Sequence, residues 1–102
     1  MEHIKEVTQQ ALRDRLKNDD NIVIVDVRED EEVANGMIEN AKHIPLEKIP
    51  HSIDALDKSK EYVFVCRSGG RSMTAAAFMD EHGFKVSNLK GGMSEWTGDV
   101  VL

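Results

Sequence analysis

Cys66 is the single cysteine of the 102-residue chain, and Arg67-Ser68-Gly69-Gly70-Arg71-Ser72 follow it directly. A thiol, two guanidinium groups and two glycines in so short a stretch are the ingredients of a nucleophilic thiolate in an anion cradle. The glycines let successive backbone N–H groups converge on one point, and a helix starting just beyond them adds the free amides of its first turn. Such a helix is expected from Ser72 to His82. Ala75, Phe78, Met79 and His82 fall at i, i+3, i+4 and i+7, Ser72 suits the N-cap, and Gly83 supplies a left-handed stop. The helix end is worth up to about 2 kcal/mol. At about 1.4 kcal/mol per pKa unit, that lowers the thiol pKa by roughly one unit. The arginines and amides act in the same direction, and cysteines in comparable settings ionise at roughly 3.5 to 7.5. Cys66 is therefore expected to be largely a thiolate at neutral pH. The plainer reading, a small buried hydrophobe at a strand end, leaves the two arginines and two glycines without a purpose.

Strands have to deliver these residues. Val63 to Cys66 is a continuous apolar run, and so is Ile22-Val23-Ile24-Val25, followed by Asp26-Val27. Runs of this kind suit strands of a parallel sheet covered on both faces. Asp26 interrupts the second run near its C-terminal end, where open α/β sheets place their ligands. A buried carboxylate there needs a partner, and Arg28, Arg71 or backbone amides are the candidates; a purely structural role for Asp26 fits equally well.

Around these strands, His3 to Glu6 reads as a short edge strand and Thr8 to about Lys17 as a scaffold helix. Thr8 is its N-cap, Val7 and Leu12 form a hydrophobic staple, and Val7, Ala11, Leu12 and Leu16 form the apolar stripe. Positions 18–21 read as a turn. Glu29-Asp30-Glu31-Glu32 suits the start of a short helix ended by Gly36; consecutive acids point in different directions and carry no calcium-loop glycine, so no metal site is expected. Ile38 to Ile44 is read as a short apolar segment limited by Pro45. Leu46 to Leu56 reads as a turn and short helix with Pro50 near its first position. Val86 to Leu89 is a further strand, Gly91-Gly92 a tight turn, and Met93 to Thr97 a helical turn seating Trp96 in the core, with Gly98 ending it. The four histidines lack metal-ligand spacing and read as surface or capping groups. Strands alternating with helices point to a three-layer α/β domain.

With 40% hydrophobic residues, the chain is long enough to bury a core as one domain over residues 1–102. A lone cysteine suits a reducing compartment. There is no leader-like start and no apolar run of membrane-spanning length, so a soluble cytoplasmic protein is expected. The formal charge of -6 argues against nucleic-acid and anionic-membrane partners, which makes the basic loop a local exception.

Several separated pieces, in order, resemble single-domain rhodaneses, a sulfurtransferase family. They are Asp26-Val27-Arg28-Glu29, then residues 36–41, Ile44-Pro45-Leu46, the loop from Cys66 to Ser72, and Asn88-Leu89-Lys90-Gly91-Gly92 followed by Trp96. Met37 stands where the family often has histidine. The resemblance implies a central, mainly parallel five-stranded sheet with helices on both faces. It also implies that Cys66 is the nucleophile and carries the transferred sulfur as a persulfide, surrounded by the backbone of Arg67, Ser68, Gly69, Gly70 and Arg71. Ser72, Asp26 and Arg28 enter as supporting residues, with no cofactor. The implied partners are a small sulfur-donor anion or persulfide and a thiol or protein acceptor. Two rivals follow from the same loop. A cysteine phosphatase or arsenate reductase also ends its cysteine loop in arginine, but five residues separate the two there, against four between Cys66 and Arg71. A docking module could use the same fold without chemistry, since fold does not dictate function.

Overall fold

The computed structural model describes residues 3–18 and 21–102. Its elements run β1 (Glu6–Val7), α1 (Gln9–Leu16), β2 (Ile22–Asp26), α2 (Asp30–Val33), β3 (Met37–Ile38), β4 (Lys42–His43), two 3-10 segments (Leu46–His51 and Ile53–Ala55), β5 (Glu61–Val65), α3 (Gly70–Glu81), β6 (Lys85–Leu89), α4 (Gly92–Glu95) and β7 (Val100–Val101). Among the described residues the main sheet has five strands in the order β1-β6-β5-β2-β4, every pairing parallel.

The continuous apolar strands behave as two-faced elements, because successive side chains point to opposite sides. Val25, Val27, Tyr62, Phe64 and Cys66 pack with Ala75, Ala76 and Met79 of α3 and with Ile49 of the first 3-10 segment. Ile22, Ile24, Val63 and Val65 pack on the other face with Leu12 of α1, Ile38 and Leu89, backed by Met93 and Trp96. Helices thus cover both faces, as the sequence implied.

The order of strands places Cys66 and the loop after it. From β2 the chain leaves outward to β4, and from β5 it leaves the other way to β6. Outgoing connections of neighbouring strands that diverge open a crevice at the strands' C-terminal ends. Asp26 pairs in register with Val65, so Asp26, Arg28 and Cys66 emerge side by side there.

Several boundaries differ from expectation. The edge strand is Glu6–Val7 rather than His3 to Glu6, since His3 and Ile4 lie in a turn that buries Ile4 in the core. The turn expected at 18–21 falls partly on positions 19 and 20, outside the described residues. Cys66 lies just past the end of β5. The segment 38–44 is not one strand: Asn40, at φ 69°, turns the chain, so Met37–Ile38 joins β7 in an antiparallel ribbon while Lys42–His43 joins β2. Residues 46–56 form 3-10 rather than α structure, with Pro50 inside and no N–H to give an α bond. The expected cap of α1 does form at Thr8, whose hydroxyl accepts from Ala11 N at 3.1 Å, and Val7 packs against the cluster that contains Leu12.

No helix among the described residues is long and apolar enough to cross a membrane.

Candidate active site

The largest difference from expectation improves the site. Helix α3 begins at Gly70, not Ser72, because Gly69 takes the left-handed conformation (φ 111°) and caps the helix itself. Ser72 is thereby freed from capping and stands in the first turn, buried, with its hydroxyl 3.3 Å from Cys66 Sγ. The Gly69 N–H donates to the same sulfur at 3.1 Å. Burial pushes the Cys66 thiol up. The Ser72 hydroxyl and the amides of Ser72, Gly69 and Ser68 outweigh it, so the net displacement is downward, toward the thiolate.

The loop is also held from the other side. The amides of Met93 and Ser94, at the start of α4, donate to the carbonyls of Cys66 and Arg67, both at 2.8 Å. That approach needs Gly92: a Cβ there would sit 2.5 Å from the Cys66 carbonyl oxygen and 2.6 Å from that of Arg67. The tight Gly91-Gly92 turn read from the sequence is therefore a clamp on the backbone of Cys66 and Arg67.

The two loop arginines have different surroundings. Arg67 is exposed and lines a groove of about 310 Å³ with Arg28, Glu32, Asn35, Met93 and Ser94. Arg71 turns to α2 and grips Glu32 with both Nη atoms, at 2.7 and 2.8 Å. Glu32 also accepts from the Glu29 amide at 2.9 Å. Hydrogen bonding to Arg71, then to Glu29, brings its pKa from 4.5 to about 2. The same pairing raises that of Arg71, with a smaller contribution from the charge on Cys66. A carboxylate with a depressed folded-state pKa stabilises the fold above its unfolded pKa and loses that effect as pH falls through the folded value. The Tm difference between wild type and Glu32→Gln should therefore be fully present above pH about 4.5 and vanish as pH falls toward about 2. A difference that does not change over that window would show that the ion pair adds nothing to stability.

Asp26 and Arg28 form a buried pair, 1% and 7% exposed. Arg28 Nη2 donates to Asp26 Oδ2 at 2.8 Å and to the Gly36 carbonyl at 2.8 Å, while Arg28 Nε and its backbone N–H add bonds to Asp26 Oδ1 at 3.0 Å. His43 donates to the Arg28 carbonyl at 2.7 Å. Of the partners considered for Asp26, the Arg28 guanidinium and a backbone amide, that of Arg28, both serve; Arg71 is committed to Glu32.

Cys66, the amides of Ser68 and Gly69, and Ser72 are thus brought together. Arg71 stands beside them and Arg67 at the groove, Gly70 is an exposed first helical residue, and Asp26 and Arg28 brace the neighbouring strand end. The sequence reading gave no site role to Glu32 or Asn88. Glu32 sits in a run of acids, and Asn88 enters only as the first residue of the motif Asn88 to Gly92, with no role of its own. Among the described residues, no cluster of three or more histidine, cysteine or carboxylate side chains is arranged to hold a metal ion.

Comparison with known proteins gives the family. Residues 8–99 match the family model described as a rhodanese-like domain. A Bacillus subtilis protein, YtwF, provisionally described as a sulfurtransferase, is 51% identical over 97 residues, covering 95% of this chain and 94% of its own. A protein of Allochromatium vinosum named sulfurtransferase is 35% identical over 94 residues, 91% of this chain and 88% of that one. The crystal structure of a rhodanese-like domain protein from Staphylococcus aureus superposes with a TM-score of 0.90 at 37% identity, covering 97% of this chain and 98% of that one. The chain belongs to the rhodanese-like domain family.

Proposed function

We propose that the chain, acting as one domain over residues 1–102, is a sulfurtransferase that moves a sulfane sulfur from a donor such as thiosulfate to a thiophilic acceptor through a Cys66 persulfide. The observation that carries this is the Cys66 sulfur itself, held by the Gly69 amide and the Ser72 hydroxyl at the N-terminus of α3. In the first step the thiolate attacks the outer sulfur of thiosulfate. A new S–S bond forms to Cys66, the donor's S–S bond breaks, and sulfite leaves with the electron pair. In the second step the acceptor's lone pair attacks the outer sulfur and the thiolate departs as it began. The acceptor is cyanide in an assay, and a thiol or a protein cysteine in the cell. No general base is needed when the thiol is already ionised. The amides of the loop, fixed before reaction, hold the persulfide's charge without reorganising. A reduced thiol of this kind fits a cytoplasmic setting.

Phosphate chemistry fits the site less well. The arginine that would fork onto a phosphate is already bidentate on Glu32, and the loop from Cys66 to Arg71 is one residue short of the phosphatase pattern. The test is the intact mass after incubation with thiosulfate under non-reducing conditions: a gain of one sulfur atom, removed by cyanide, is expected. No gain with thiosulfate or polysulfide, together with Cys66-dependent turnover of an aryl phosphate, would overturn the assignment.

The arginines divide the work. Arg67→Ala should raise KM for thiosulfate several-fold while leaving Tm nearly unchanged, because an exposed charge mainly steers the anion. Arg71→Ala strands Glu32 beside the loop and should lower kcat and Tm together. Equal, negligible losses from both would refute this division.

A further inference from the structure

The Ser72 hydroxyl has one hydrogen and two acceptors in reach: Cys66 Sγ at 3.3 Å and Asn88 Oδ1. It can donate to one at a time. Asn88, on β6, is 1% exposed. Its Nδ2 is turned to the Gly69 carbonyl at 3.2 Å and to Glu6 Oε2 at 3.4 Å, which leaves Oδ1 facing Ser72. With Cys66 as a thiol every group is served, since S–H donates to Ser72 Oγ and the hydroxyl donates to Asn88. With Cys66 as a free thiolate, the sulfur has no hydrogen and is the stronger acceptor. The hydroxyl then turns to it and Asn88 Oδ1 is left buried without a donor, which is unfavourable. In the persulfide the charge sits on the outer sulfur, Sγ becomes a weak neutral acceptor, and the hydroxyl returns to Asn88.

We propose that Asn88 is a positioning residue that competes with Cys66 for the Ser72 hydrogen, and so sets the balance of the free thiolate against the thiol and the sulfur-loaded form. The persulfide half of this rests on the sulfurtransferase reading; the thiol half does not. Only a hydroxyl rotates, and the thiol proton goes to solvent on ionisation. The charged groups nearby are Arg71 on α3 with Glu32 on α2, Arg67 in the loop and Glu6 on β1. All are retained in the variants below, so their fields cancel in the comparison.

The test follows the alkylation rate of Cys66, the only thiol, against pH in wild type, Asn88→Leu, Ser72→Ala and the double variant. Asn88→Leu removes the competitor and should lower the thiol pKa by roughly half a unit to one unit. The Gly69 carbonyl keeps its other donor, Met73 N at 3.1 Å. Ser72→Ala should raise the pKa, and adding Asn88→Leu to it should cause no further shift. A rise in Asn88→Leu, no change, or an equal shift in both backgrounds would overturn the proposal, because loosened packing alone does not favour the thiolate through Ser72. A wild-type measurement covers the case in which Asn88→Leu does not fold. The Asn88 side-chain carbonyl carbon resonance should titrate with Cys66 and return toward its thiol-state position on loading with thiosulfate, and a resonance indifferent to Cys66 ionisation overturns the idea. Failure to load sulfur, with the alkylation shifts as expected, would instead fault the sulfurtransferase reading.

Discussion

Cys66→Ser should abolish sulfur loading and reduce thiosulfate:cyanide turnover by on the order of 10³-fold or more, to the background of the assay. The scale follows from what removal of a nucleophile costs enzymes that work through a covalent intermediate. A serine hydroxyl in the same cradle stays protonated, and the amides that favour a thiolate have no anion to hold. The substitution is also structurally mild. The hydroxyl accepts from the Gly69 amide as the sulfur did, and the carbonyl of residue 66 still takes the Met93 amide. The Tm should therefore change little, which separates lost chemistry from lost folding. Intact mass and Tm on the same sample check both. A Cys66→Ser protein that still gains a cyanide-labile sulfur would remove Cys66 from the mechanism.

Asp26→Ala should have the largest effect on stability. It leaves the guanidinium of Arg28, a residue 7% exposed, with the Gly36 carbonyl and without its carboxylate. Breaking one side of a buried pair costs about 3–5 kcal/mol. For a domain of this size that is a fall in Tm of at least about 12 °C. By contrast, disrupting the partly exposed pair between Arg15 and Glu61, 2.8 Å apart, should cost about 0–1 kcal/mol. Activity should suffer as well, because Arg28 ties Gly36, at the end of the α2 turn, to the strand beside Cys66, and α2 carries the Glu32 that restrains Arg71. The double variant Asp26→Leu/Arg28→Met should recover much of the stability, since it leaves no buried charge unpaired. Thermal melts decide it. A loss below about 1 kcal/mol in Asp26→Ala, the size of a surface pair, would mean that the carboxylate does not matter to the fold.

How much of this was legible in the sequence depends on how far apart the interacting residues lie. The cradle was legible because its parts are consecutive: strand, cysteine, glycines and helix follow one another from Tyr62 to Glu81. The two-faced strands were legible because Ile22 to Val25 and Val63 to Val65 are apolar without alternation. The helix start was misplaced by two residues, since paired glycines do not say which of them takes the left-handed turn. Gly69 does, and that moved Ser72 from a cap to the sulfur's side.

The sequence by itself determined the candidate nucleophile, the glycine- and arginine-bearing loop after it, the α/β layering and, through ordered motifs, the family resemblance. Tertiary structure alone decided the partners that come from far along the chain. Glu32 meets Arg71 across 39 residues, and Asn88 meets Ser72 across 16. The Met93 and Ser94 amides close on the loop from α4, beyond the end of β6. A run of acids does not reveal which carboxylate will face an arginine, because helix phase and strand order decide that together. The crevice itself exists only because β4 and β6 leave β2 and β5 in opposite directions, a property of topology that no local pattern of residues encodes.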